Sequence, residues 1–393
     1  MESARPRLNS IDLVRGIAMV LMALDHVRDF FFVEVGHDGT NLNKTWPTLF
    51  LTRWVTHFCA PVFVMLAGTG AALAIQRGKT MGEQSWFMLT RGLWLVLLEL
   101  IVVHAAGWFF NFDFTFLQAW VIWALGWTMV GMAALLWLPQ RLVLILGLII
   151  IFGHNLLDDI DSARLGPLEE LWLILHGDPP VSLMFFGSVE LAIGYPLLPW
   201  LGVMMVGYGL GEVYTWKEPT RQRVLFYSGL TCLLLFAAIR ASNLYGDPMP
   251  WIHYGDYRVL LSELNCTKYP PSLCYLLMTL GPALVLLALT EHTDGPIARF
   301  FITFGRVPLF FYLLHLPLIH ALACLACYVQ LGHVGPFLYV NPSNPASDDH
   351  MGYGFGLPVV YGVWFLVIAM LYPACIWYAG FKARHRWMIL SYL

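Results

Sequence analysis

Apolar residues along this chain gather in runs of about 20, the length a helix needs to cross the hydrocarbon core of a bilayer. Ten runs read as spans, at about 10–33, 47–75, 87–109, 116–137, 142–157, 190–213, 223–242, 272–290, 300–327 and 357–381; the fifth is short. The segment 168–186 is apolar in part, but Asp178-Pro179-Pro180 breaks it, so it reads as a re-entrant or interfacial piece. Between the runs, the stretches 158–188, 243–270 and 328–356 are acidic and rich in Pro, Gly and Asn.

Composition agrees with that pattern. Of 393 residues, 59% are hydrophobic and 12% charged, against about 25% charged in an ordinary soluble domain. The expected fold is an all-α polytopic membrane protein, a bundle of about ten or eleven transmembrane helices. No repeat or composition shift divides the chain, so 1–393 reads as one transmembrane domain. The net charge of −3 gives no support for nucleic-acid binding. Arg5 and Arg7 precede the first run without a small-residue cleavage site, so the first span is expected to stay. The seven cysteines form no zinc-type cluster. Cys324 and Cys327 suit packing, and Cys266 and Cys274 fall where an outer-side pairing could form.

Lysine and arginine set the orientation. With the N-terminus in the cytoplasm, the cytoplasmic ends hold Arg5, Arg7, Arg77, Lys79, Arg141, Lys217, Arg221, Arg223, Arg299, Lys382, Arg384 and Arg386. The outer loops hold only Lys44, Arg164, Arg258 and Lys268, with Arg240 near a span end. Ten spans then leave both termini inside.

Several spans carry groups that a bilayer disfavours by roughly 2.5–3.5 kcal/mol each, which marks them as functional candidates. The first holds Asp12, Arg15, Asp25, His26, Arg28 and Asp29. Arg15 and His26 share one helix face about 16 Å apart. Asp25 with Arg28, and His26 with Asp29, are spaced to meet on the helix surface, as are Arg53 and His57 in the second span. Arg15, Arg91 and Arg306 fall in cytoplasmic halves, whereas His26, His57, His104, His315 and His320 fall in middle or outer halves. Arginine is the preferred partner of phosphate, and histidine the usual carrier of protons. A phosphorylated cytosolic donor and an acceptor on the far side fit that sorting. A structural alternative pairs Arg15 with Asp12 and Arg91 with Glu99, and gives each span histidine an interhelical hydrogen bond. His37, His154, His176, His253, His333 and His350 lie in loops and carry no signal of their own.

The motif Arg7-x4-Asp12-x2-Arg15-Gly16-x9-His26 resembles the opening of integral-membrane acyltransferases that modify surface glycans. The wider context is similar to bacterial relatives of heparan-α-glucosaminide N-acetyltransferase. Ser10-Ile11-Asp12-Leu13-Val14-Arg15-Gly16 resembles the start of that catalytic region. Cys59-Ala60-Pro61-Val62-Phe63-Val64-Met65-Leu66-Ala67-Gly68 resembles its second span, and Gly305-Arg306-Val307-Pro308-Leu309-Phe310-Phe311-Tyr312 a late one. The resemblance implies acetyl-CoA as cytosolic acyl donor, no metal, and a sugar amine or hydroxyl receiving the acyl group on the other side. It also implies a bacterial cytoplasmic membrane as the location.

The expected partners are therefore acyl-CoA, a carbohydrate or small-molecule acceptor and the lipid bilayer, with the oligomeric state open and a homodimer compatible. Arg15, Arg91, Arg306 and Arg53 are the candidate donor-binding residues. His26, oriented by Asp25 or Asp29, is the candidate base, with His57 and His315 as further catalytic candidates. Two rivals use the same residues. A proton-coupled transporter would run a relay through the carboxylates and histidines, and a haem-binding electron carrier would use His26, His57 or His104 as axial ligands.

Overall fold

The computed structural model describes residues 8–33, 38–108, 112, 114–179, 181–185, 187–338, 352–385, 387, 390 and 392. Arg5, Arg7, His37, His350 and Arg386 lie outside them.

The long apolar runs form helices: α1 Asn9–Phe31, α2 Pro47–Val55, α3 Cys59–Gln76, α4 Met81–Leu97, α5 Val121–Leu135, α6 Gln140–Gly153, α7 Glu169–His176 and α8 Leu197–Leu210. They continue with α9 Glu218–Ser242, α10 Arg258–Leu264, α11 Leu273–Leu289, α12 Pro296–Arg306, α13 Pro308–Leu331, α14 Gly335–Leu338 and α15 Leu357–Arg384. Six helical stretches among the described residues are long and apolar enough to cross a membrane: Pro47–Gln76, Met81–Gly107, Gln140–Leu157, Glu218–Ser242, Pro308–Leu331 and Leu357–Arg384. Helix α1 matches them in length, at 23 residues. It differs in carrying Asp12, Arg15, Asp25, Arg28 and Asp29, none of which is exposed. The chain is a mostly helical, multi-pass membrane protein.

Local chemistry sets the breaks. Thr80 caps α4 and exchanges hydrogen bonds with Glu83, the reciprocal arrangement that satisfies orphan N–H groups at a helix start. A π-helical turn over Leu98–Trp108 continues α4. The run expected as one span at 300–327 is two helices. Val307 leaves helical geometry (φ −134°, ψ 49°), and Pro308, which has no N–H to donate, opens α13. A short 3-10 turn, Thr56–Phe58, likewise interrupts the second span.

A small sheet was not foreseen. Strands β1 Phe116–Ala119, β2 Val181–Phe185 and β3 Val189–Ile193 lie in the order β1-β3-β2. β1 and β3 pair in parallel with Leu117 opposite Leu191, and β2 and β3 are antiparallel. The runs at 116–137 and 190–213 therefore each begin as a strand and become helical only at Val121 and Leu197. The strands are short and apolar, so hydropathy alone did not separate them from helix ends. The segment 168–186 is α7 followed by β2. The sheet fixes Trp120 and Tyr195, which follow β1 and β3 and meet edge-on at 6.4 Å.

Helix α1 is the centre of the bundle. It packs against α3, α11, α12, α13 and α15, and Val14, Ala18, Ala23 and Val27 are fully buried. Its contact with α12 depends on two glycines. A Cβ at Gly16 would stand 1.8 Å from the Phe301 carbonyl oxygen, and one at Gly305 would stand 1.8 Å from that of Asp12. Backbones can approach this closely only where small residues face each other.

Candidate active site

Three cavities lie in series, the first two beside α1. The first, of about 310 Å³, is lined by Arg15, Lys79 and Arg91 together with apolar and aromatic side chains such as Met19, Phe87 and Met88. The second, of about 290 Å³, contains Asp25, His26, Asp29, Arg53, Lys268 and Tyr269. Met22, Phe63, Val121 and Tyr312 line both, so these four side chains form the partition between them. The third, of about 480 Å³, adjoins the second at Arg53, Lys268 and Tyr269 and is lined by Asp38, Thr40, Asn41, Asn43 and other polar groups.

His26 and His315 meet at the second cavity. His26 Nδ1 lies 2.7 Å from His315 Nε2, and the rings stack with centroids 4.9 Å apart. The other nitrogen of His315 is held by the backbone. Its Nδ1 is 2.7 Å from the Tyr312 carbonyl oxygen and 3.1 Å from that of Phe311. Carbonyls only accept, so His315 carries its proton on Nδ1 and presents a lone pair at Nε2. His26 must then donate from Nδ1, which leaves its Nε2 as the lone-pair nitrogen. The Tyr312 and Phe311 carbonyls on α13 thus set the tautomers of both rings.

The aspartates do not orient His26 through Nδ1. Asp25 accepts from Arg53 at 2.6 Å and from Arg28 at 3.2 Å. Asp29 accepts from Arg28 at 2.5 Å. Spacing on α1 suggested an Asp29–His26 pair, but Arg28 is adjacent and carries a full charge, so the carboxylates turn to the arginines. Arg53, expected among the donor-binding cations, instead neutralises Asp25 at the junction of the second and third cavities.

On the other side of the partition, Arg15 and Arg91 share the first cavity, joined by Lys79. Arg15 lies 3.6 Å from Asp12 and 3.4 Å from the Gly305 carbonyl. Arg91 and Lys79 both stand over the Phe87 ring. Arg306 lines none of the three cavities described. It ends α12 just before the Val307 break, and its side chain is 45% exposed and 3.9 Å from Asp12. The proposed Arg91–Glu99 pair is also absent. Buried Glu99 accepts from the backbone N–H groups of Ile122 and Trp123, at 3.1 and 3.2 Å, and so caps the start of α5.

The remaining histidines disperse. His57 lines the third cavity, packs against Tyr275 and leaves Nδ1 buried without a hydrogen-bond partner. His320 donates to the Phe337 carbonyl at 2.6 Å, and His104 packs on Phe114. Cys266 and Cys274 are both free thiols. Three residues of the second cavity escaped sequence reasoning: Tyr195, Lys268 and Tyr269. They lie on loop segments whose only signal was the single outer-side lysine. Burial pushes the Tyr269 hydroxyl up, but Lys268 and Arg53 beside it bring it below the ordinary phenol range. In the third cavity burial likewise pushes Asp38 up. The N–H and hydroxyl of Thr40 outweigh it and hold the carboxyl low.

A cation-lined apolar chamber, an imidazole pair and a polar chamber in sequence can hold an anionic chain, a proton-transfer centre and a polar partner. Residues 7–242 match the family described as heparan-alpha-glucosaminide N-acetyltransferase, catalytic. The resemblance seen over Gly305–Tyr312 lies beyond the matched residues. No curated protein matches the chain.

Proposed function

The chain belongs to the heparan-α-glucosaminide N-acetyltransferase catalytic family, and from that premise we propose a membrane acetyltransferase that draws on cytosolic acyl-CoA and acylates a sugar amine or hydroxyl on the opposite side. The observation that carries this reading is the partition. Four side chains separate a chamber lined by Arg15, Lys79 and Arg91 from one that contains His26. Acyl-CoA is anionic at its phosphates and apolar along its pantetheine arm, and the first chamber is cationic and otherwise largely apolar. Charge-assisted bonds from arginine suit phosphate better than any other side chain does.

In this proposal the thioester reaches the partition beside Tyr312. His26 Nε2 takes a proton from the acceptor nucleophile, which attacks the thioester carbonyl. The carbon–sulfur bond breaks, and the imidazolium returns its proton to the departing thiolate, giving CoA and the acyl product. A variant route passes the acyl group through His26 Nε2 before the acceptor takes it. His315 holds the reactive tautomer throughout, and general-base help of this kind is worth about 10²–10⁴ in rate. Arg53, Lys268 and Tyr269 face the acceptor. We further propose ten membrane crossings with both termini cytoplasmic, on the strength of the lysine and arginine bias, and a bacterial cytoplasmic membrane, on the resemblance to bacterial relatives.

Reconstituted proteoliposomes test this. Acetyl-CoA supplied on the side of Arg15 should acetylate an amino sugar trapped on the other side, while labelled CoA stays where it was added. Movement of the whole labelled donor across the bilayer, without acetylation, would overturn the proposal in favour of transport.

A further inference from the structure

Away from the three cavities, the turn after α6 and the end of α7 bring together His154, Asp158 and His176. One ligand atom from each lies within 4.8 Å of the other two. His154 and His176 are buried, yet both ring nitrogens of His154 and Nδ1 of His176 have no hydrogen-bond partner. Buried imidazole nitrogens are nearly always satisfied, so one nitrogen of His154 and Nδ1 of His176 call for a ligand that the two rings share. The remaining polar atoms are already arranged to support one. His176 Nε2 donates to the His154 carbonyl at 2.7 Å and lies 3.3 Å from Asp158 Oδ1, so the aspartate already meets this imidazole and the lone pair is on Nδ1. Asp158 accepts from Asn155 at 2.8 Å, and the carbonyl oxygen of the Asn155 side chain binds the N–H of Leu273 at the start of α11. Outer partners of this kind fix the orientation of metal-binding imidazoles and carboxylates.

We infer that His154, Asp158 and His176 bind a divalent transition-metal ion of the zinc class. Two imidazoles and one carboxylate are the donor set that suits such an ion, with a fourth position left for water. Ligand atoms around a tetrahedral zinc lie roughly 3.4 Å apart, so small rotations of the side chains close the cluster onto the ion. The site is structural in position. None of its three residues lines any of the three cavities described, but Pro179, three residues beyond His176, lines the third. The ion therefore clasps the segment 159–175 to the end of α6 and steadies one wall of that chamber.

The test uses full-length protein carrying no polyhistidine tag, stripped with chelator and titrated with Co²⁺ and Zn²⁺ in detergent. One equivalent of Co²⁺ should bind with the intense visible band of a four-coordinate site, Zn²⁺ should displace it, and Zn²⁺ but not Mg²⁺ should raise the melting temperature. His154→Ala and Asp158→Asn should each weaken Zn²⁺ binding at least tenfold. A wild-type protein with no saturable Co²⁺ band would overturn the inference even if the variants failed to fold. A His154→Ala,His176→Ala protein that bound Zn²⁺ as tightly as wild type would overturn it as well.

Discussion

His26 Nδ1 and His315 Nε2 stand 2.7 Å apart although 289 residues separate them in the chain. The contact joins the first helix to the thirteenth and gives α13 control of the proton on α1. His26→Ala should lower kcat by about 10²–10⁴ with little change in acyl-CoA affinity. His315→Ala removes the acceptor that holds His26, so kcat should fall about 10- to 100-fold, the worth of one buried hydrogen bond. His315→Gln can present a carbonyl oxygen near the same place and should recover part of the loss. Steady-state kinetics on the three variants checks the order.

The cations divide by cavity. Arg15→Ala and Arg91→Ala should each weaken acyl-CoA binding by about 10- to 100-fold, because each removes a charged hydrogen-bond donor of about 1.5–3 kcal/mol. Arg306→Ala should change binding less than twofold, since its side chain is 45% exposed and directed to Asp12. Titration calorimetry with CoA distinguishes the three.

Asp25 serves Arg53 and Arg28 rather than His26. Asp25→Asn should destabilise the protein by about 3–5 kcal/mol, because Arg53 remains buried without its counter-charge, whereas Arg28 keeps Asp29. Removing both partners, as Asp25→Leu with Arg53→Met, should restore much of that stability. A thermal melt of single and double variants reads the difference. A fall in kcat with unchanged melting would instead return Asp25 to the chemistry.

Gly16→Val and Gly305→Val should prevent α1 from docking on α12. Each added Cβ would sit 1.8 Å from a carbonyl oxygen of the facing helix, so backbone rather than side chain must move. The cost should exceed the roughly 1–3 kcal/mol of ordinary overpacking. Loss of monodisperse protein on size exclusion is the expected result.

Helical spans were legible because lipid demands long apolar runs, and Arg15, Arg91 and His26 were legible because charge in such runs is expensive. What sequence reasoning missed depends on contacts between distant segments. His315 was a candidate, but its pairing with His26 depends on how α13 packs, and spacing within one helix says nothing of that. The periodicity on α1 instead favoured Asp25 and Asp29 as partners. Lys268 and Tyr269 sit on a loop with no periodic pattern. Glu99 looked like a mate for Arg91, yet the orphan N–H groups of α5 compete for its carboxylate. His154 and His176 carry no signal in the sequence, and only the fold of the segment between them brings them together.

Acyl transfer at His26 can be measured directly. Acetyl-CoA labelled in the acetyl group, added to purified wild type and His26→Ala with an amino-sugar acceptor, measures it through release of free CoA and the fate of the label. Wild type should release CoA and label the acceptor, and His26→Ala should bind donor without releasing CoA. Equal turnover by His26→Ala would contradict acyl transfer at His26.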